Sequence, residues 1–346
     1  MDKRRKNGKD MALLLPIFVL VFFLSFMVGR YPVNPFVAMK ILFSKLLEAL
    51  SGGRLALGVW KSTEEAVVMN IRFPRIALAS LIGAALSLAG ASYQSIFRNP
   101  MVSPDLLGAS TGAGFGAALA ILLGGGYMAI TVSSFAFGLL AVVIALLVAS
   151  KSRLHVTLSL VLAGVMVSSL FSSGTSFVKL VADTSDKLPA ITYYLMGSLA
   201  SVKKNDLYFA FIPIVLGMIP VILLRWRINL LTVDEAEARS MGIDTRKLRL
   251  VVVLSATLMT SASVAVSGMI GWVGLVVPHF SRLIYGDDSS VTLPTSAVMG
   301  AIFLLVVDNI ARIATTAEIP LGILTSFVGA PVFLYLIMKG GNKNES

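Results

Sequence analysis

The amino-acid sequence predicts an all-α polytopic membrane protein with about ten transmembrane helices. The composition excludes a soluble domain, because the chain is 56% hydrophobic and 14% charged, whereas soluble domains are about a quarter charged. Apolar runs recur along the 346 residues, and roughly 20 apolar residues span a bilayer. The chain contains no cysteine, which excludes disulfides, thiolate metal sites and iron–sulfur clusters.

The apolar runs are separated by short polar connections. The first run, 11–28, follows a basic segment and is not followed by the small residues of a signal-peptide cleavage site, so an uncleaved helix is predicted. An amphipathic stretch, 37–50, comes next. The other nine runs are 73–97, 105–124, 127–149, 155–178, 206–224, 248–268, 271–285, 293–312 and 321–338.

The distribution of charge predicts that both chain ends face the cytoplasm. Basic residues concentrate in alternate short connections, such as 151–153 and 225–227, and cytoplasmic loops carry such an excess. With ten spans, the group formed by the second to fifth runs begins on the outside, and the group formed by the seventh to tenth runs begins on the inside. The two groups of four are therefore expected to be inverted repeats. We expect one domain, 1–346, with a cytoplasmic loop at 231–249.

Motifs of catalysis are absent from the sequence. There is no G-x-x-x-x-G-K-[ST] P-loop to bind ATP phosphates. His155 and His279 are far apart and lack acidic neighbours, so no metal site is predicted. The chain has a net charge of +11, but its basic residues form no stripe interleaved with stacking aromatic residues. This argues against nucleic acid as a partner and favours lipid headgroups. A membrane enzyme is therefore less favoured than a transport protein, either an importer permease or an ion-coupled transporter.

Asp308 and Arg312 form the conspicuous ionisable pair within an apolar run. Four residues apart on a helix, they can neutralise each other in a medium of low dielectric constant. One interpretation is a structural ion pair, and the other is a proton or sodium relay. A relay usually requires more membrane acids, so an ion-coupled secondary transporter is the weaker alternative to the function inferred below.

The fifth run carries many hydroxyl side chains. Gly164, Ser168, Ser172 and Thr175 follow a spacing that places them on one helix face. Such a stripe either forms hydrogen bonds within the protein or lines a wet pathway, and the spacing alone does not decide. The third run contains three glycines at four-residue spacing, which predicts close helix packing.

A short helix is predicted within the loop 231–249. Thr232 can cap its N-terminus, acidic residues fill its first turn, and Gly242 can adopt the left-handed conformation after Met241. An isolated, capped helix on the cytoplasmic side is typical of a docking element. The alternative interpretation is a solvated connector.

Several sequence blocks together resemble the FecCD family, the permeases of iron–siderophore and cobalamin ABC importers. The resemblance covers nearly the whole chain. The matching blocks are 72–75 (R-F-P-R), 83–94, 98–108 (R-N-P-M-V-S-P-D-L-L-G), 238–242 (A-R-S-M-G), 274–282 (G-L-V-V-P-H-F-S-R), 308–312, 318–322 and 329–333. Three departures are Gly286–Ser290, which lacks the family's His and Arg, Asp234, where glycine is common, and Met241, where the family has leucine.

The resemblance implies a homodimer, two cytoplasmic ATPase subunits that bind ATP and Mg, and an extracytoplasmic solute-binding protein. No cofactor is expected on this chain, in keeping with the missing P-loop. The implied cargo is a metal chelate, in first place a ferric siderophore, imported across the cytoplasmic membrane of a prokaryote. Cobalamin, haem and molybdate or tungstate stay open as alternatives.

The resemblance also assigns roles to matched residues. Arg72, Arg75 and Arg312 match arginines that pair with acids of the binding protein at an exposed rim, where charge favours orientation and on-rate; Arg312 has Asp308 as its other partner. The fifth run, with the tenth, lines the pathway, and Thr157 is a gate residue. The segment implied to couple to the ATPase comprises Asp234, Glu235, Ala238, Arg239, Ser240, Met241 and Gly242.

Overall fold

A computed structural model describes residues 2–341 except 30, 32, 52–59, 154, 232–234 and 316, and this part is helical without strands. A π-helical turn, Val67–Arg72, leads into α4, and a 3₁₀ turn, Pro104–Leu107, precedes α5. The α-helices are α1 (Asp2–Ser25), α2 (Pro35–Leu50), α3 (Ser62–Ala66), α4 (Phe73–Ile96), α5 (Ala109–Leu122), α6 (Tyr127–Lys151), α7 (Val156–Val181), α8 (Lys187–Met196), α9 (Lys204–Leu223), α10 (Arg225–Leu230), α11 (Glu235–Ser240), α12 (Thr245–Ser267), α13 (Val273–Tyr285), α14 (Ser289–Ile313) and α15 (Leu321–Gly341).

The apolar helices coincide with the predicted runs. Within the described residues, six helical stretches are long and apolar enough to cross a membrane: the one containing α3 and α4, and α6, α7, α9, α12 and α14. Shorter apolar helices in α1, α5, α13 and α15 occupy the other four runs. The all-α membrane fold is confirmed, whereas the count of ten spans and the side on which the ends lie stay predictions.

Helix α4 is the centre of the fold, and most of its residues are buried. It packs against α9, α12, α13 and α14. Glycines permit the closest approaches, because an added Cβ at Gly90 would lie 1.7 Å from the carbonyl oxygen of Gly274, and one at Gly300 would lie 2.2 Å from that of Gly83. Small residues are the usual means of close helix packing in membranes, where no hydrophobic drive acts between helices.

The groups α4–α7 and α12–α15 are inverted relative to each other. Helices α4 and α14 are antiparallel, since Ser95 Oγ lies 3.0 Å from Ser289 Oγ at one end and Arg75 Nη2 lies 2.8 Å from Asp308 Oδ1 at the other. Helix α4 is first in its group and α14 third in its own. First and third helices of groups with the same orientation would be parallel.

The two groups also repeat the same packing. Their third helices, α6 and α14, both have 25 residues. Each has a glycine at the same distance from its start, Gly138 and Gly300, pressed against the first helix of the other group. The second helices, α5 and α13, are both short, and each follows a residue of positive φ, Gly108 (85°) or Trp272 (68°).

Substitution of Gly300 by alanine is expected to destabilise the fold. The new Cβ would lie 2.2 Å from the Gly83 carbonyl oxygen, and overpacking costs about 1–3 kcal/mol. Thermal unfolding of the purified protein in nanodiscs should show a lower midpoint temperature. The control is Gly126→Ala, because a Cβ added at Gly126 would have nothing within 4 Å and the residue has a φ of −70°. Equal midpoints for the two variants would contradict the packing argument.

Candidate functional site

A buried ion network joins the start of α4 to the end of α14. Arg75 donates to Asp308 Oδ1 through Nε at 2.9 Å, and its Nη1 lies 2.8 Å from Glu318 Oε2. The Asp308 side chain is completely buried. Since burying an unpaired charge is costly, Arg75 and Asp308 depend on each other.

Two further arginines extend this network to the chain that follows α1. Arg312 Nε lies 3.1 Å from Asp308 Oδ2, and Arg312 Nη1 donates to the carbonyl of Val28 at 2.9 Å. Arg72 donates to the carbonyls of Phe26 and Tyr31. Arg72 and Arg312 therefore hold the segment after α1 against α4 and α14.

The sequence predicted that Arg72, Arg75 and Arg312 lie at an exposed rim, and in this structure they are buried instead. Their exposed fractions are 4%, 6% and 6%, because each guanidinium is consumed by internal carboxylates or carbonyls. Arg312 does pair with Asp308, the alternative that the sequence left open. Glu318 is the more accessible partner, with 24% of its side chain exposed against 8% for Arg75. The docking role of the three arginines stays a prediction.

The predicted short helix in the loop 231–249 is present as α11, Glu235–Ser240. Its end has the predicted left-handed glycine, Gly242, with φ of 79°, and Ile243 N donates back to Ala238 O at 3.2 Å, the bond of a glycine C-cap. Ala238 is fully buried, whereas Ser240 and Met241 are exposed. Four of the assigned residues lie outside the described structure: Thr232 and Asp234 entirely, and Glu235 and Arg239 in their side chains.

Both ends of this loop are fixed to the helical core. Arg98, in the strained conformation of φ 49°, donates through Nε to the Leu231 carbonyl at 2.9 Å. Asp244 caps α12 by accepting from Lys247 N at 3.0 Å. This backbone bond, with the Lys247 ammonium, holds the pKa of Asp244 below its usual value. The exposed surface of α11 is thus presented from a defined position.

A polar contact that sequence reasoning missed lies beside the Arg98 turn. Gln94 Nε2 donates to the Val102 carbonyl at 3.1 Å, and Arg282 donates to Gln94 Oε1. Three of the matched sequence blocks therefore meet here. The sequence did show Gln94 and Arg282 as polar residues within apolar runs. That they pair with each other depends on how α4 and α13 approach.

The predicted stripe on α7 faces mainly inward. Gly164 is pressed against the carbonyl of Leu106, whose oxygen would lie 2.2 Å from an added Cβ. Ser168 and Thr175 are half-buried, and Thr175 donates to a carbonyl of its own helix, whereas Ser172 is exposed. Thr157, the predicted gate residue, is half-buried in the first turn. The stripe thus shares a face, but that face packs largely against the 3₁₀ turn and α5.

The adjacent face of α7 is exposed and uncharged. It presents hydroxyl groups at i, i+4 and i+7, on Ser169, Ser173 and Ser176. Beside them stand Met166 and Phe177, exposed by 66% and 64%. The sequence contained these serines, but only the packing of α7 shows which side is free.

A cavity of about 610 Å³ lies against α15. Its wall includes Met196 at the end of α8, Met269 in the connection to α13, and Ser326, Phe327 and Pro331 of α15. Among the described residues, no three His, Asp or Glu side chains cluster as a metal site. The surface here suits a bulky, weakly charged molecule better than a bare cation, because it is apolar with few hydroxyls.

Comparisons with known proteins agree over most of the chain. The FecCD transport family model matches residues 17–339. The molybdate import system permease protein MolB of Haemophilus influenzae is 37% identical over 95% of this chain and 96% of its own length. A protein of Helicobacter pylori named "Probable iron chelatin transport system permease protein" is 41% identical over 79% of this chain and 82% of its own.

A solved structure gives the same result at the level of the fold. It is an inward-facing ABC transporter described as of the metal-chelate type, with a TM-score of 0.85 and 35% identity, covering 96% of this chain and 99% of the other. The six long apolar helices among the described residues indicate a multi-pass membrane protein. The chain therefore belongs to the FecCD transport family and is an ABC importer permease of that type.

Proposed function

We propose that this permease imports a metal chelate, and specifically a ferric siderophore, across the cytoplasmic membrane of a prokaryote. In this proposal two partner ATPase subunits bind ATP and Mg and supply the energy, and an extracytoplasmic binding protein delivers the cargo. The observation that carries the proposal is the exposed, uncharged face of α7, with the cavity beside α15. The iron chelatin relative supports the same cargo class.

The exposed faces of α7 and α15 favour a homodimer. The hydroxyl-bearing part, around Ser173, can line a wet pathway, and the apolar part, around Leu170 and Phe177, can pack against a second copy. A contiguous apolar surface of this kind usually marks an interaction site. The hydroxyl face of Ser169, Ser173 and Ser176 replaces the more buried Gly164, Ser168 and Thr175 as the best candidate for the pathway wall.

Molybdate is the second candidate cargo, because the MolB relative matches nearly the whole chain. The binding protein selects the cargo in either case, so the permease surface does not separate a neutral chelate from an oxyanion. The two candidates share the same machine and the same need for ATP.

Helix α11 supplies the proposed contact with the ATPase. Its buried Ala238 holds the helix to the core, while Ser240 and Met241 remain exposed at its end. A single exposed apolar side chain beside a rigid glycine cap is suited to a cleft on a partner. The segment 234–242 then transmits closure of the ATPase sites, because its position is fixed by Arg98 and by the cap of α12.

Docking of the binding protein requires Arg75 to exchange partners. Its guanidinium is buried and shared between Asp308 and Glu318, so a carboxylate from outside meets no free charge. Glu318, the partly exposed acid, occupies the place that such a carboxylate would take. Glu318 lies three residues before α15, so its release would free the segment leading into a helix of the proposed pathway.

Uptake by the permease reconstituted in liposomes with its ATPase and binding protein is expected to require ATP hydrolysis. Iron-59 siderophore and molybdenum-99 molybdate should be offered separately, since the accumulated isotope identifies the cargo. An ATPase variant without hydrolysis is the control and should abolish uptake. Uptake that persists without ATP but stops when ionophores remove proton and sodium gradients would contradict the proposal and favour a secondary transporter.

Replacement of Met241 by aspartate should weaken ATPase association by about tenfold or more, because loss of a buried methionine contact costs about 1.5–3 kcal/mol. The measurement is binding of the purified ATPase to permease in nanodiscs, with uptake in parallel. Met128→Asp is the matched control: Met128 is 60% exposed against 51% for Met241, and an acid is favourable in the first turn of α6. Equal losses in both variants would contradict a docking role for α11.

Glu318→Gln is expected to tighten binding of the solute-binding protein by about fivefold, because one partly exposed ion pair that competes for Arg75 is worth about 1 kcal/mol. Asp308→Asn is the comparison: removal of this fully buried carboxylate should destabilise the fold by about 3–5 kcal/mol without tightening. Surface plasmon resonance gives the Kd and thermal unfolding the stability. Unchanged or weaker binding by the Glu318 variant would show that Glu318 only supports the structure.

A further inference from the structure

Helix α2 turns large apolar side chains away from the rest of the protein. The inward side contains the buried Ala38, Ile41 and Ser44, and Lys45 and Glu48 stand partly exposed at its margin. The outward face contains Phe36, Met39, Phe43 and Leu46, which are between 52% and 75% exposed. A helix on a water-facing surface turns polar and charged side chains outward instead.

The polar groups at this margin are satisfied by neighbours. Lys45 Nζ lies 3.0 Å from Glu48 Oε2 and 2.9 Å from Glu65 Oε1 of α3, and Trp60 Nε1 donates to Glu65 Oε2 at 2.8 Å. Ile41 is fully buried between these groups and the rest of the protein. These contacts fix the rotation of α2, so its apolar face is held outward.

The outward face continues the apolar surface of α1. A cavity of about 430 Å³ between the two helices is lined by apolar residues of both, including Leu20 and Phe23 of α1 and Met39 of α2. Leu20 and Phe23 are themselves exposed, as expected for a transmembrane helix at the edge of the fold. The two helices thus present one apolar surface that turns from α1 onto α2.

We propose that α2 is an interfacial helix whose outward face, Phe36, Met39, Phe43 and Leu46, inserts among the acyl chains of a phospholipid bilayer. Helices of this kind bury their apolar face about 5–10 Å into the boundary between headgroups and acyl chains. Lys40, exposed at the edge of this face, extends its ammonium towards the phosphates. Membrane insertion of α2 would brace the segment after α1, which Arg72 and Arg312 hold.

Lipid is the occupant that fits because the surface is continuous with α1 and its four outward side chains, Phe36, Met39, Phe43 and Leu46, carry no hydrogen-bonding group. A binding protein that recognises arginines would need polar and charged partners on the permease. A second copy of the chain is already assigned to α7 and α15, whereas α2 packs against α3 and the π-helical turn.

Single spin labels test the proposal, and the absence of cysteine from the sequence means that each introduced cysteine is the sole label site. Met39→Cys and Phe43→Cys are labelled with a nitroxide and placed in phosphatidylglycerol–phosphatidylethanolamine nanodiscs. Power saturation then compares collisions with oxygen, which partitions into lipid, and with a nickel chelate, which stays in water. Leu20→Cys on α1 is the lipid reference, and Thr63→Cys, exposed at the start of α3, is the water reference.

The ratio of oxygen to nickel collisions at positions 39 and 43 is expected to match that at 20 and to exceed that at 63. A ratio like that at 63 would overturn the proposal. Protection from both reagents with spin–spin broadening would assign the face to a second copy, and nickel access lost only after adding the binding protein would assign it to that partner; either result overturns it. ATP-driven uptake is measured on the same variants, so failure of the lipid proposal is distinguishable from failure of the transport proposal.

Discussion

The close approach of α4 to its neighbours is the constraint on which the rest of the structure depends. Lipid is as apolar as leucine, so burial of apolar surface does not drive helices together in a membrane. Backbone contact at Gly83, Gly90, Gly274 and Gly300 supplies dispersion and shape complementarity instead. Because α4 belongs to one inverted group and α13 and α14 to the other, these contacts also hold the two groups together.

The ion network closes the same interface at its polar end. Asp308 binds Arg75 from α4 and contacts Arg312 one turn further along α14. Arg312 and Arg72 in turn hold the segment after α1. The arginines that the sequence predicted to bind a partner therefore stabilise the fold itself. In the proposed docking of the binding protein, an acid of that partner would compete with Asp308 and Glu318 for the Arg75 guanidinium.

Helix positions were predictable because twenty-residue apolar runs have few alternatives in a bilayer, and the glycine cap of α11 was predictable because Gly242 follows a short capped segment. The exposed face of α7 was not. Gly164 and Ser168 obey the same periodicity as Ser169 and Ser173, and periodicity gives relative angles without stating which angle faces the core. The outward apolar face of α2 escaped for the same reason, since an amphipathic pattern does not reveal which face meets lipid.

By itself the sequence determined the all-α membrane fold, the order of the apolar helices and the family, since these depend on composition and local motifs; it predicted the inverted grouping, which the contacts between α4 and α14 then showed. Only the tertiary structure decided that Arg72, Arg75 and Arg312 are buried, that Gln94 meets Arg282, and which faces of α2 and α7 are free. Each of these depends on contacts between residues far apart in the chain. Such contacts are set by how closely helices approach, and local sequence does not encode that distance.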